Sequence, residues 1–169
     1  PSHFKGPNRP VENVSWDDCQ EFCARLSEHA GCRVALPTEA EWEYACRAGT
    51  TTHFHFGDVI TTDLANHYGK ASWNSPTGVY RAQTTDVGTF PANPWGLHDM
   101  HGNVWEWCAD VYKPYAGGES NENSNNNLRV LRGGSWSGDP VGCRAAFRDW
   151  NAPAYRYYSY GFRVCFRLD

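Results

Sequence analysis

The chain has 169 residues, a net charge of −4 and 40% hydrophobic residues. That length and composition suit one domain with a sizeable core and are too apolar for a disordered chain. No basic stripe points to nucleic acid and no apolar run approaches membrane-spanning length, so neither nucleic-acid binding nor membrane insertion is expected.

Eight Trp and nine Tyr need either a core or a surface to occupy, and sixteen Gly with ten Pro imply short elements joined by many loops. Pro1 reads as the start of a fragment rather than a natural N-terminus. Composition and cysteine count fit a cytoplasmic and a surface-borne protein equally.

The first helix opens at Ser15, an N-cap followed by Asp17 and Asp18 at the positive end of the helix dipole. Trp16, Cys19, Phe22, Cys23 and Leu26 recur at three and four residues and predict one apolar face, which Gly31 ends. The second helix opens at Pro37-Thr38, where Thr38 and Glu41 form a capping box. Trp42, Ala45 and Cys46 should face inward and Gly49 should stop it. Beyond residue 50 no helical period persists. Strands are expected at 104–109, 129–131, 144–148 and 162–167. In the last, Phe162, Val164 and Phe166 should share one face, with Arg163 and Cys165 on the other. Residues 117–127 are polar and low in complexity and predict a flexible surface loop. Two helices followed by short antiparallel strands predict a loop-rich α+β fold spanning 1–169 as one domain.

Seven cysteines stand at 19, 23, 32, 46, 108, 143 and 165, with no C-x-x-C pair. Zinc and dithiol redox chemistry are therefore poorly supported. Cys19 and Cys23, one turn apart, read as small buried hydrophobes, and a disulfide elsewhere stays open.

The C-terminal forty residues differ in character. Two rigid frames, Leu131 to Trp136 and Gly161 to Val164, bracket Ser137, Gly138, Asp139, Val141, Gly142, Phe147, Asp149, Trp150, Asn151, Tyr155, Tyr157, Tyr158 and Ser159. Tyr, Ser, Gly and Asn are the palette of evolved binding surfaces, because Tyr offers large area at low entropy cost and small residues adapt. The alternative is an aromatic loop lying over a β core or against the rest of a longer protein.

Five ordered blocks carry a family resemblance: Pro10 to Trp16, Leu36 to Glu43, Asn93 to Trp107, Arg132-Gly133-Gly134-Ser135-Trp136 and Gly161-Phe162-Arg163. They resemble the formylglycine-generating-enzyme/sulfatase-modifying-factor family, which implies a C-type-lectin-like fold of that subtype. The family has further N-terminal strands ahead of the first block, which this chain does not show. Catalytic relatives oxidise a substrate cysteine with a copper-binding cysteine pair placed just after the Gly-Gly-Ser-aromatic block. Here Cys143-Arg144-Ala145-Ala146 matches the cysteine that follows the pair, and 137–142 hold no thiol. Copper(I) requires soft thiolates, so no copper and no enzymatic activity are expected. The His-rich iron-binding helices of the ergothioneine-pathway branch are also absent from the sequence.

Variable proteins of diversity-generating retroelements resemble the same family. Their adenine-directed diversification reaches Tyr, Ser, Gly, Asp, Val, Phe, Ala and Asn but not Lys, Glu, Gln, Met or Trp. Residues 137–160 contain no Lys, Glu, Gln or Met; Trp150 is not reachable, so it is either a fixed residue or a position where the scheme does not hold. The resemblance implies that 132–166 is a variable region held by Cys143, Arg144, Arg148, Pro153 and Arg156, with Tyr160 buried. Arg144, Arg148, Arg156 and Arg163 are expected to hydrogen-bond loop carbonyls; an anionic-ligand site is the rival. It also implies a structural calcium ion ligated by the side chains of Asp99 and Glu106 and the carbonyls of Gly102 and Val104, an oxygen set suited to that ion. His98, His101, His53 and His55 read as surface or core histidines. The expectation is a monomeric, non-catalytic ligand-binding protein with an unknown protein or surface partner. The alternatives are a formylglycine-generating-type oxidase and an interaction domain without diversification.

Overall fold

The computed structural model describes residues 1–72, 74–115 and 127–167. All of the expected loop at 117–127 except Asn127 lies outside the described residues.

Both helices start where their caps predict. In α1 (Trp16–Ala30) the Ser15 hydroxyl accepts the Asp18 N–H at 3.1 Å, and Asp18 accepts the Ser15 N–H at 2.8 Å. Gly31 closes the helix in the left-handed region, φ 66°. After β1 (Arg33–Ala35), α2 (Glu39–Arg47) repeats the reciprocal box between Thr38 and Glu41 at 3.2 and 2.8 Å. Ala48, not Gly49, takes its left-handed cap, with φ 46°, so the helix stops one residue earlier than expected. The apolar stripe of α1 is also narrower. Cys19 and Cys23 are buried, while Phe22 is 48% exposed and rests edge-on against Phe162.

A four-stranded sheet organises the rest: β2 (Trp105–Val111), β3 (Arg129–Arg132), β4 (Asp149–Asn151) and β5 (Tyr160–Gly161), in the order β4-β3-β2-β5. β2, β3 and β4 pair antiparallel, and β5 lies parallel to β2 with Trp105 opposite Tyr160. β6 (Cys165–Arg167) returns to pair antiparallel with β1.

Two strand expectations are corrected. Residues 140–143 form a 3-10 turn, and 144–148 run irregularly. Their backbone is satisfied from elsewhere: Ala145 donates to His53, and the Ala145 and Phe147 carbonyls accept from Arg132 at 2.6 and 2.8 Å. A strand ladder would compete for those groups. Of the 162–167 run only Cys165–Arg167 forms a strand, β6, and 162–164 run irregularly after β5. Phe162 and Val164 pack on the core, whereas Phe166 is 58% exposed.

The core is three clusters. One joins Cys19, Cys23, Leu36, Trp105, Trp107 and Leu131 under α1. A second joins Trp42, Cys46, Met100, Cys108 and Val130 under α2, and a third gathers Phe54, Ile60, Ala65 and Cys143. All seven cysteines are free thiols, so no disulfide forms. Burial pushes the Cys143 thiol up to about 12, which makes it a packing group rather than a nucleophile.

Candidate functional site

The segment that follows β3 is fastened at many points. Gly133 and Gly134 turn the chain at φ 95° and 75°, and a Cβ on Gly134 would lie 2.6 Å from the Cys143 sulfur. Trp136 donates its backbone N–H to Asn103 at 2.9 Å and its indole N–H to the Tyr158 carbonyl at 3.3 Å. The 152–158 loop is stitched to the start of α1: Asn13 donates to the Tyr157 carbonyl and Trp16 to the Pro153 carbonyl.

The four expected anchor arginines are all spent on protein acceptors. Arg144 donates to the Val141 carbonyl at 3.0 Å. Arg148 donates to Lys113's carbonyl, grips both Glu39 oxygens and stands over Tyr115. Arg156 grips Asp18, and Arg163 grips Glu106 and reaches the His98 carbonyl. Three of the four therefore pair with carboxylates, a role the carbonyl expectation missed.

On this frame sits an aromatic belt. Tyr157 donates its hydroxyl to that of Tyr158 at 2.8 Å, with ring centroids 4.1 Å apart. That bond, with partial burial, raises the Tyr157 pKa to about 12. Tyr155 stacks on Tyr157, and Tyr158 tilts against Trp136 at 5.5 Å. Trp136 in turn meets Tyr80 and Phe4, and Tyr80 meets Tyr68. Tyr80, Tyr155 and Tyr158 are exposed at 44%, 44% and 36%. Tyr68, Tyr80 and Phe4 were missed from the sequence. They lie in stretches without period, and only the fold brings them to Trp136.

The other expected site residues divide. Asp139 is exposed, while Ser137, Gly138, Val141, Phe147, Asp149 and Asn151 are half-buried beside it or along β4. Trp150 is exposed but has Tyr112 as its ring partner. Gly142 and Ser159, expected on the surface, are buried. Gly142 lies against the Trp105 indole, and the Ser159 carbonyl accepts the Trp105 N–H, so both serve the frame. Tyr160 is half-buried, its ring edge-on to Trp107, and its hydroxyl accepts from Asn151.

Asp99, Val104 and Glu106 line one pocket of about 520 Å³ with His98, Phe162 and Arg163. Asp99 accepts the Gly88 N–H through Oδ2, and its Oδ1 is buried without a partner. Burial raises the Asp99 pKa. Such an orphaned carboxylate oxygen suits a hard cation. Glu106 is already engaged: Arg163 holds both oxygens at 2.8 and 2.7 Å, and the Trp42 indole donates to Oε2 at 2.6 Å. Gly102 belongs to the turn beneath, its N–H donated to the Gly133 carbonyl. His98 turns to the Phe90 carbonyl. The His101 ring is buried between the Cys143 carbonyl and the His55 N–H. No group of three His, Cys, Asp or Glu is placed to hold a metal among the described residues.

Two capped helices around a short mixed sheet, with an anchored aromatic face at the C-terminal end, make a C-type-lectin-like domain of the formylglycine-generating-enzyme subtype. The Sulfatase-modifying factor enzyme 1-like domain family matches residues 2–168, and the chain belongs to that family. It is 36% identical to formylglycine-generating enzyme of Mus musculus, over 92% of this chain and 44% of the mouse protein. It is 33% identical to hercynine oxygenase of Mycobacterium tuberculosis, over 95% of this chain and 37% of that protein. The chain thus spans less than half the length of either curated relative. Among solved structures, Treponema denticola variable protein 1 superimposes with a TM-score of 0.78 at 26% identity, covering 97% of this chain and 76% of that one.

These relatives correct one expectation. The missing cysteine pair predicts no enzymatic activity, yet proteins about a third identical over nearly the whole chain are enzymes, and the family is enzymatic. The pair is one ligand set, and losing it removes one chemistry rather than the class.

Proposed function

We propose that the chain is a ligand-binding protein that meets its target through the C-terminal face, and that the exposed residues of this face are diversified by a retroelement. The observation that carries the reading is the separation of roles along one segment. Gly134, Gly142, Arg148, Arg156 and Ser159 build the frame, while Tyr155, Tyr158 and Asp139 project from it. Residues that vary without touching the core can change target without unfolding the domain. The likeness to the Treponema denticola variable protein supports this reading. Tyr rings at the centre of a rigid face are the usual energetic anchors of recognition. The partner is a protein or surface ligand, and the chain acts as a monomer. Recognition and turnover can share one domain in a family of enzymes.

Sequencing the DNA around the gene tests it. A reverse transcriptase gene and a near-repeat of residues 132–166, differing only where adenines fall on Asp139, Tyr155, Tyr157 and Tyr158, is the expected result. A complete genome without such a repeat would withdraw diversification.

We also propose a structural calcium ion at Asp99, on the strength of its orphaned Oδ1, with Gly102, Val104 and Glu106 completing the oxygen set. Arg163 must then share or release Glu106.

A further inference from the structure

Beside the tyrosine belt lies a pocket of about 410 Å³ whose chemistry is not that of the belt. Its apolar wall is Trp105, Val141 and Phe147, with the Trp105 and Phe147 ring centroids 6.0 Å apart. Its polar wall is Asp139 and Asp149. Gly142 keeps the indole uncovered, since a Cβ there would come within 3.3 Å of the Trp105 ring. The Trp105 N–H is bonded to Ser159, next to Tyr158, so pocket and belt adjoin.

The two carboxylates are poorly neutralised. Asp139 spends Oδ1 on the Val141 N–H and Asp149 spends Oδ1 on the Trp150 N–H, both at 2.8 Å. Among the described residues neither forms an ion pair. The nearby Arg144 is turned onto the Val141 carbonyl and over the Phe147 ring. Asp149 is half-buried, and burial raises its pKa. A desolvated acid without a counter-charge is relieved by an incoming cation. Aromatic faces favour the same guest, since a cation over a Trp or Phe ring is attracted by the ring quadrupole. An anion would meet two like charges, and a purely apolar group would strip water from both acids without compensation.

We propose that this pocket takes a basic side chain, lysine or arginine, of a polypeptide target, with its methylene stem on Trp105 and Phe147 and its charged head between Asp139 and Asp149. The proposal rests on the reading of the C-terminal face as a recognition surface, and names the chemistry it selects. A long amphipathic side chain satisfies both walls at once, and the adjoining belt offers the remaining chain a surface to lie on.

The test is a nuclear magnetic resonance titration of the isotope-labelled chain with capped hexalysine, hexaarginine and hexaglutamate. The basic peptides should shift the Trp105 indole resonance and the amides of Asp139 and Asp149, and hexaglutamate should not. Asp139→Asn with Asp149→Asn should weaken hexalysine binding at least tenfold, and Asn still accepts the two backbone N–H groups. Equal shifts with hexaglutamate, or undiminished affinity in the double variant, would overturn the proposal. Spermidine binding as tightly as hexalysine would reassign the pocket to small polyamines and overturn it too. A peptide selected on the immobilised chain separates the two readings. If it needs Tyr155 and Tyr158 while hexalysine does not bind, the pocket proposal falls and the recognition face stands.

Discussion

Arg156 holds both carboxylate oxygens of Asp18 at 2.7 Å, tying the tyrosine loop to the first turn of α1. Asp18 is at the same time the third residue of the helix and half of its capping box. One carboxylate thus fixes a helix start and the register of a loop 138 residues further on. The Arg156 guanidinium is the main reason the Asp18 carboxyl titrates well below the usual carboxylate range. Arg156→Ala should leave α1 folded, because the Ser15–Asp18 box remains. Tm should fall by no more than about 2 °C, as expected for an exposed pair. The amides of Tyr155 and Tyr157 should exchange roughly tenfold faster, as local opening becomes easier. Unchanged exchange there would show that the Asn13 and Trp16 backbone bonds hold the loop alone.

Arg132 should be the most sensitive position of the frame. Its side chain is fully buried. It donates to the Ala145 and Phe147 carbonyls, pairs with Glu43, lies 3.3 Å from Glu39 and stands over Trp42. Arg132→Met removes the charge, strands two carbonyls, and leaves Glu39 and Glu43 with Arg148 and Arg47 as their remaining partners. A loss of about 3–5 kcal/mol is expected in urea unfolding, the usual cost of breaking a buried pair. A loss under about 1 kcal/mol would mean that water replaces the guanidinium.

Stability should fall in acid through groups that act in the same direction. His67 is fully buried, and burial lowers its pKa below 6.5. Its neutral form is the folded form, so its contribution is complete above pH 6.5 and is lost as pH falls below that value. Arg167 holds the Glu41 carboxyl down from 4.5 to about 2. That contribution is complete above about pH 4.5 and disappears towards pH 2, discounted because both side chains are partly exposed. Urea midpoints between pH 8 and 4 should fall below pH 6.5, and His67→Phe should flatten that first limb. A His67→Phe protein with the same profile would move the effect to another group.

Calcium should raise Tm through Asp99. At a hundredfold excess over its dissociation constant a single native-state site adds about 2.7 kcal/mol. Asp99→Ala should abolish the gain, and magnesium should give less, since its small octahedral shell fits a mixed protein site poorly. No rise with calcium would mean that Arg163 keeps Glu106 to itself.

Some of this was readable from residues alone. The Ser15 N-cap and the Thr38–Glu41 box each lie within four residues of the helix they start, so no distant contact is needed to predict them. Ordered blocks such as Arg132 to Trp136 and Gly161 to Arg163 marked the family and the frame around the segment between them. The 144–148 stretch has strand-like residues, but its carbonyls are claimed by Arg132 and its Ala145 N–H by His53. Pairing with a side chain 13 or 15 residues away leaves no period to read.

The sequence by itself determined the helix starts, the family and the bounds of the framed C-terminal segment, because each is written in neighbouring residues. Only the tertiary structure decided which of those residues reach solvent. Gly142 and Ser159 went under the surface, since Trp105 needed their space and their hydrogen bond. Tyr80 and Tyr68 joined the face, and Asp139 and Asp149 came to share a pocket with Trp105 and Phe147. Those neighbours are set by the packing of β2 against residues far along the chain, and contact at such separation depends on the whole core closing rather than on any local preference.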